Sequence, residues 1–168
     1  MRIDDVVLQS GGPSPYTPAA LSPTLTPQDP NKGEEVFEMG SEESAALVRR
    51  GYEAFSAGDM DTLRDIFTED ATWHAAGNGP ISGVKQGRDE ILAYFGELGS
   101  RSNGSMKVTV EDVTVGDRYT VGIQLTRAER DGKTLDERQV IVFSVSDGKV
   151  TEGIEMSEDT SKAADFWS

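Results

Sequence analysis

Several residue types that carry common protein chemistry are missing or scarce in this sequence. There is no cysteine, which excludes disulfides, thiolate chemistry and zinc sites built on cysteine. The single histidine, His74, has no second histidine with which to share a metal ion, so no metal site is predicted. Only 16 Lys and Arg oppose 30 Asp and Glu, giving a net charge of −14. This balance argues against nucleic acid and against an anionic membrane surface as partners.

Long apolar runs are also absent. No stretch approaches the length of a membrane span, and the opening "MRIDDVVLQSGG" lacks the apolar core of a signal peptide. We therefore expect a cytoplasmic protein with no membrane partner.

Proline divides the chain into two regions. Six of the seven prolines lie within the first 30 residues, and Pro80 is the only later one. Because proline at this density opposes helix and sheet and favours extended backbone, residues 1–40 are interpreted as an appended arm and 41–168 as one domain. The arm is either a disordered tail or an ordered lid or clasp. In the second case a strand at 6–8 and three apolar anchors would hold it, namely Tyr16, Leu21 and Leu25.

The first half of the domain has helical periodicity. Ser41, followed by two glutamates, has the features of an N-cap, and Gly58 is expected to end the first helix. Asp59 is expected to cap a second, short helix. A third helix is predicted from Ile91, Phe95 and Leu98, which recur on one face.

The second half alternates with a period of two. The segments "MKVTVEDVTV", "YTVGIQLTRAE", "ERQVIVFSV" and "KVTEGIEM" are separated by the turn sequences "GDR", "RDGK" and "SDGK". Three helices followed by such a meander predict an α+β fold, in which a curved, cone-shaped antiparallel sheet wraps over the helices. The mouth of a cone of this kind commonly binds small molecules.

Three segments resemble a known family. "YEAFSAGDMDTLRDIFTEDATWH", "GPISGVKQGRDEILAYF" and "VIVFSVSDGKVTE", the last followed by "ADFWS", are similar to the SnoaL-like polyketide cyclases. These belong to the nuclear transport factor 2-like superfamily, together with ketosteroid isomerase. The resemblance covers about residues 44–168, and it implies the fold without fixing an activity.

The resemblance also implies a register for the cavity. Aligned with ketosteroid isomerase, the general base falls on Ala75, the oxyanion tyrosine on Gly51 and the oxyanion carboxylic acid on Ile141. All three catalytic groups are missing, so steroid isomerisation by that mechanism is not expected. The cyclases' catalytic aspartate has no clear counterpart on "ERQVIVFSV" either.

The same register assigns the two faces of the sheet. It points Gln124, Thr126, Gln139, Ile141 and Phe143 into the cone, and it leaves an aliphatic face outside. Exposed aliphatic patches usually mark interfaces, so we expect a homodimer through that outer face. The outer residues are Val121, Ile123, Leu125, Val140 and Val142.

Two residues are candidate catalytic groups. The resemblance implies that Tyr94 lines the cavity, where a buried phenol can donate a hydrogen bond to a carbonyl or enolate. His74 can act as a general base only if its ring reaches the cavity, and strand alternation with Ala75 inside points it outward unless a bulge intervenes. The alternative for His74 is a strand-end residue bonded to backbone or to a carboxylate.

Seven further residues are expected to contact a substrate. Core packing is the favoured alternative for Phe55, and pairing with each other is an alternative for the two glutamines. The predicted binding residues are Phe55, Trp73, Gln124, Thr126, Gln139, Ile141 and Phe143. Glu152 and Glu155 are expected near the mouth, with nothing in the sequence to distinguish them.

The sequence therefore predicts a cofactor-independent cyclase, isomerase or dehydratase acting on a polyketide- or terpenoid-like molecule of a biosynthetic pathway. The alternative is a non-catalytic small-molecule-binding or assembly module of the same fold, which the loss of the family carboxylates favours.

Overall fold

The computed structural model describes residues 32–168, with side chains from residue 40 onward. The anchors Tyr16, Leu21 and Leu25 and the strand expected at 6–8 lie outside the described residues, so the lid or clasp remains a prediction. The elements are α1 Lys32–Ala57, α2 Met60–Ile66, β1 Phe67–Ala75, β2 Gly83–Gln86, α3 Arg88–Arg101, β3 Lys107–Val115, β4 Thr120–Arg130, β5 Lys133–Ser146, β6 Lys149–Ser157 and α4 Thr160–Trp167.

The six strands form one curved sheet in the order β2-β1-β6-β5-β4-β3. Every neighbouring pair is antiparallel except β1 and β6, which run parallel. The predicted α+β fold with three helices against a curved sheet is confirmed. Two short elements were missing from the prediction: β2, which has four residues, and α4, which has eight.

Helix α1 begins earlier than the sequence suggested. Ser41 was expected to be its N-cap, but the helix starts at Lys32 and Ser41 lies within it. The last proline of the arm is Pro30, so no proline opposes a helix that starts two residues later. The expected boundary at residue 40 therefore falls inside α1.

The predicted Asp-Gly turns join the long strands. Asp131 and Gly132 have φ of 49° and 78°, and Asp147 and Gly148 have φ of 51° and 70°. Two successive positive φ values are typical of the tight hairpin turns that aspartate and glycine tolerate best. These turns fix β4–β5 and β5–β6 as hairpins. The cap of α2 is also as predicted, since Asp59 accepts a hydrogen bond from the Thr62 amide at 3.0 Å.

A β-bulge changes the register of the β5–β6 hairpin. Val145 pairs with Val150, but beyond the bulge Ser144 pairs with Glu152, and Ile141 pairs with Glu155. Residues opposite each other on paired strands point to the same face of a sheet. The bulge therefore places Glu155 on the inner face with Ile141, and Glu152 on the outer face.

Trp73 is the centre of an aromatic cluster between the helices and the inner face of the sheet. Its ring centroid lies 5.1 Å from that of Phe95, 5.9 Å from that of Phe67 and 6.0 Å from that of Phe143. Edge-to-face pairs of this kind add stabilisation beyond the burial of apolar area. The indole lies directly against Gly153 of β6, where a Cβ atom would overlap the ring.

Among the described residues, no helix is both long and apolar enough to cross a lipid bilayer.

We predict that Gly153→Ala displaces the Trp73 ring. The new methyl group would overlap the indole, and overpacking of this kind typically costs about 1–3 kcal/mol of unfolding free energy. Urea unfolding should show this loss, and the Trp73 indole resonance should move in a proton–nitrogen spectrum.

Gly116→Ala is the matched control, because a Cβ atom at that position meets its nearest neighbour at an ordinary 3.6 Å. Equal stability of the two alanine variants would contradict the close packing of Trp73 on Gly153.

Candidate functional site

A cavity lies between the helices and the inner face of the sheet. Its empty volume is about 990 Å³ when the open solvent space at its mouth is included, and its walls are mainly aliphatic and aromatic. Such a lining with a few polar groups is typical of small-molecule sites. Eight of the residues predicted for the site line this cavity: Phe55, Trp73, Tyr94, Gln124, Thr126, Gln139, Ile141 and Phe143.

His74 is not among the residues that line the cavity. Ala71, Trp73 and Ala75 are buried on the inner side of β1, and the register shift in that strand lies before Thr72, so alternation sends His74 outward. Its Nε2 lies 3.2 Å from Glu152 Oε1 on the outer face. A role as catalytic base, which required the ring to reach the cavity, does not fit this position. The strand-end alternative describes it.

Glu155 places a carboxylate in the cavity wall. Trp73 Nε1 donates to Glu155 Oε1 at 2.7 Å, and the Ala76 amide donates to Oε2 at 3.3 Å. The Tyr94 hydroxyl lies 3.2 Å from both carboxylate oxygens and can give its single proton to either one. Three donors on a carboxylate, which has about four acceptor positions, leave one position for another proton.

The surroundings of Glu155 raise its pKa above the ordinary value for glutamate. Although the cavity leaves part of the side chain accessible, the surrounding protein removes water from the carboxylate, and this desolvation is the largest cause. The hydrogen bonds from Trp73, Ala76 and Tyr94 act in the opposite direction, and the charge of Glu137 adds to the rise. No Lys or Arg in the described part of the chain forms an ion pair with Glu155.

Burial also raises the pKa of Tyr94 well above the usual phenol value, and the neighbouring Glu155 carboxylate contributes to the rise. The hydroxyl therefore keeps its proton near neutral pH and acts as a donor. The Lys85 ammonium lies 5.2 Å from the centroid of the Tyr94 ring, within cation–π distance.

A chain of hydrogen bonds occupies another part of the wall. Gln124 Nε2 donates to Gln139 Oε1 and to Thr126 Oγ1, each at 2.9 Å, and Thr126 donates to Gln139 Oε1 at 2.7 Å. Gln139 Nε2 and the Ser157 hydroxyl then donate to Glu137 at 2.9 and 2.8 Å. The alternative in which the two glutamines pair with each other is therefore realised, within a larger chain.

The sequence missed Glu137 and did not single out Glu155. Glu137 is 3% exposed, and desolvation raises its pKa. Its position two residues before Gln139 on β5 was the available signal, because residues i and i+2 of a strand share a face. No comparable signal identified Glu155, because its facing depends on the bulge. Within residues 40–168, no group of three or more His, Asp or Glu side chains is arranged to hold a metal ion.

Comparisons with known proteins agree with this architecture. The sequence profile of the SnoaL-like domain family matches residues 48–153. An uncharacterized protein of Mycobacterium tuberculosis, Rv0034, is 34% identical over 122 residues, which are 72% of this chain and 93% of that protein. Bal32a, from a soil-derived mobile gene cassette, is 40% identical with a TM-score of 0.74, covering 76% of this chain and 98% of its own.

A more distant structure shares the fold. IdmH from Streptomyces antibioticus, a candidate polyketide cyclase, is 21% identical with a TM-score of 0.60. The similarity covers 72% of this chain and 96% of IdmH.

We predict that the stability contributed by Glu155 is lost as the pH rises. Because folding raises this pKa, the folded protein holds a proton that the unfolded chain releases between the ordinary and the raised values. The contribution is complete below the ordinary glutamate pKa and disappears above the raised one. Relative to wild type, Glu155→Gln should therefore gain unfolding free energy with rising pH, measured by urea unfolding from about pH 4 to 8.

Glu111→Gln is a control for which the expected change of unfolding free energy with pH has the opposite sign. The Arg138 guanidinium lowers the pKa of Glu111, so the contribution of that carboxylate is lost as the pH falls. The amide in Glu155→Gln can also change the unfolding free energy by an amount that does not depend on pH. Only the pH-dependent part of the difference from wild type tests the raised pKa. A difference from wild type that stays flat across the range would contradict a raised pKa at Glu155.

Proposed function

The chain belongs to the SnoaL-like domain family, and from that premise we propose that it is a cofactor-independent enzyme that transfers a proton at a carbon next to a carbonyl group. Proton transfer of this kind is the common first step of the cyclisations, isomerisations and dehydrations expected from the sequence. The proposed substrate is a polyketide- or terpenoid-like small molecule. The observation that carries the proposal is the Glu155 carboxylate, which accepts from three donors in an apolar wall and forms no ion pair with any Lys or Arg of the described residues.

Glu155 is proposed as the general base. A base works best when its pKa lies near the working pH, and desolvation moves this carboxylate in that direction. The proton passes from the substrate carbon to the free acceptor position of the carboxylate, and the electron pair moves onto the carbonyl oxygen as an enolate. The enolate can then take the proton back at another carbon, which is an isomerisation. Alternatively, the enolate carbon can attack a second carbonyl of the same molecule, which is a cyclisation. Neither route needs a further reagent.

Trp73 and Tyr94 are proposed to position this base. The indole N–H donates to Oε1 at 2.7 Å, and the phenol, within 3.2 Å of both oxygens, donates to one of them, so together they restrict the orientation of the carboxylate. Once Glu155 has accepted a proton, it is a weaker acceptor, and the Tyr94 hydroxyl can turn to donate to the substrate oxygen. Orientation in a shaped cavity supplies the rest of the acceleration.

The skeleton of the substrate is inferred from the cavity walls. Aromatic and aliphatic side chains dominate the lining, and Trp73, Phe95 and Phe143 are among them. A flat, largely apolar molecule is the best match for such walls. IdmH, with the same fold, is a candidate polyketide cyclase, and a polyketide-derived ring system has this chemistry.

Deuterium exchange into a simple ketone tests the proposal. The probe is 2-tetralone, a bicyclic ketone whose acidic C–H bonds next to the carbonyl exchange with D₂O, followed by proton NMR. We predict that the wild type accelerates exchange over buffer and that Glu155→Gln loses about 100-fold or more of that acceleration, the usual range for a general base. The wild-type rate should fall as Glu155 becomes protonated at low pH.

Glu152→Gln is the matched control, because Glu152 lies three residues earlier on β6 and on the opposite face of the sheet. Its exchange rate should stay within about twofold of wild type. Equal rates for wild type and Glu155→Gln would overturn the assignment of the base. A wild type that binds 2-tetralone but never accelerates exchange would support the non-catalytic binding module instead.

A homodimer through the outer face of the sheet is also proposed. Val121, Ile123 and Leu125 of β4 stand beside Val140 and Val142 of β5, and all five are only partly buried. Met156, on the same face, is 52% exposed. The ion pairs Arg127–Asp136 and Arg138–Glu111 flank this apolar area and present both charges, which suits contact with a second copy across a two-fold axis.

We predict that Ile123→Lys yields monomers or insoluble protein, because a lysine at the centre of an apolar interface would be buried without a partner. Light scattering after size exclusion measures the mass. Ala93→Lys, at an exposed position of α3, is the control and should keep the wild-type mass. A monomeric wild type at high micromolar concentration would contradict the dimer.

A further inference from the structure

Two buried polar atoms in the cavity wall have no hydrogen-bond partner among the residues that the structure describes. They are the hydroxyl oxygen of Tyr52, a residue 8% exposed, and the side-chain oxygen of Gln124, a residue 4% exposed. Both residues line the cavity described above. Leaving a buried donor or acceptor unpaired is unfavourable, and native proteins do so rarely. Each of the two atoms therefore points to a group that the described part of the chain does not supply.

Their positions follow from α1 and β4. The Tyr52 ring packs edge-on against Phe143, with centroids 6.2 Å apart, and its hydroxyl reaches the strand over Gly122. A Cβ atom at residue 122 would overlap that hydroxyl, so glycine makes the space. Gly122 and Gln124 are successive inner-face residues of β4, which places them about 6.6 Å apart along the strand. The two unpaired atoms thus belong to neighbouring parts of one wall.

The orientation of the Gln124 amide is fixed by its neighbours. Both hydrogens of Nε2 are used, one on Thr126 and one on Gln139. Thr126 gives its own proton to Gln139, and Gln139 gives an amide proton to Glu137, so every donor in the chain is directed toward that carboxylate. This leaves Gln124 Oε1 as an acceptor without a donor. Burial raises the pKa of Tyr52, which therefore remains a protonated donor.

We propose that Tyr52 and Gln124 form a subsite that binds a hydroxyl group of the substrate, which accepts from the Tyr52 hydroxyl and donates to Gln124 Oε1. The proposal deepens the proposed function, on which it rests for the use of this cavity as the substrate site. It narrows the substrate class to apolar ring systems that carry a phenol or alcohol. A carbonyl or ether oxygen would satisfy Tyr52 but leave Gln124 unpaired, whereas a hydroxyl satisfies both.

Calorimetric titration of the full chain with three probes of nearly equal shape tests this subsite. The probes are 2-naphthol, which donates and accepts, 2-methoxynaphthalene, which only accepts, and naphthalene, which does neither. We expect 2-naphthol to bind at least about fivefold more tightly than 2-methoxynaphthalene, since leaving a buried acceptor unpaired costs at least that factor. A wild type without this preference, including one that binds none of the three probes, overturns the proposal.

Tyr52→Phe and Gln124→Met should each reduce the preference for 2-naphthol over naphthalene to less than about half its wild-type value, because each removes one of the two hydrogen bonds to the hydroxyl. Tyr119→Phe and Gln86→Met make the same chemical changes at exposed positions and should leave the preference unaltered. Tyr52→Phe provides a second readout, because it removes a hydroxyl that no described side chain or backbone group pairs with. Its melting temperature without ligand should equal or exceed that of wild type, whereas a merely structural hydroxyl would lower it.

The failure of this proposal is separate from failure of the proposed base. If the preference for 2-naphthol over naphthalene survives both substitutions and disappears in Glu155→Gln, the hydroxyl binds at Glu155, and the Tyr52–Gln124 subsite is wrong, while the exchange test of the base is unaffected. If both substitutions remove the preference and Glu155→Gln exchanges 2-tetralone like wild type, the subsite stands and the base is wrong.

Discussion

The indole of Trp73 can lie against β6 only because residue 153 has no side chain, and much of the interior depends on that contact. From this position on β1 the ring packs on Phe95 of α3 and on Phe143 of β5, and so it links the helix to two strands of the sheet. Its N–H is left facing Glu155, to which it donates at 2.7 Å. One side chain therefore fills the core and also holds the carboxylate. A change that loosens the packing of Trp73 must alter the position of the proposed base.

The polar groups of the cavity are arranged for two different tasks. Around Glu155, donors converge on a single carboxylate whose pKa desolvation raises, which is an arrangement suited to taking a proton. Around Gln124, the donors are all used in a chain of hydrogen bonds that ends on Glu137. This chain holds the amide with its oxygen unpaired among the described residues. The first group is suited to chemistry and the second to recognition. Apolar walls between them strengthen both, because electrostatic interactions are stronger away from water.

Much of the fold followed from local patterns in the sequence. Helices α2 and α3 follow from apolar spacing and an aspartate cap, and the hairpins follow from Asp131–Gly132 and Asp147–Gly148, where only a few residue types accept positive φ. The inner face of β4 and β5 came from the family register, and the structure places all five of the inner residues it assigned along the cavity. The start of α1 was missed because a good N-cap sequence at Ser41 has no effect once the helix continues through it.

The identity of the cavity glutamate could not be derived from the sequence, because it depends on one unpaired residue. Counted back from the turn at Asp147–Gly148 without a bulge, Ile154 would lie opposite Ile141, and Glu152 opposite Phe143. That register would turn Glu152 inward and Glu155 outward. The bulge between Ser144 and Val145 moves the pairing by one residue and exchanges the two faces. With this pairing, Glu152 contacts His74 on the outer face. The same bulge therefore places Glu155 in the cavity and leaves the only histidine of the sequence on the other side of the sheet.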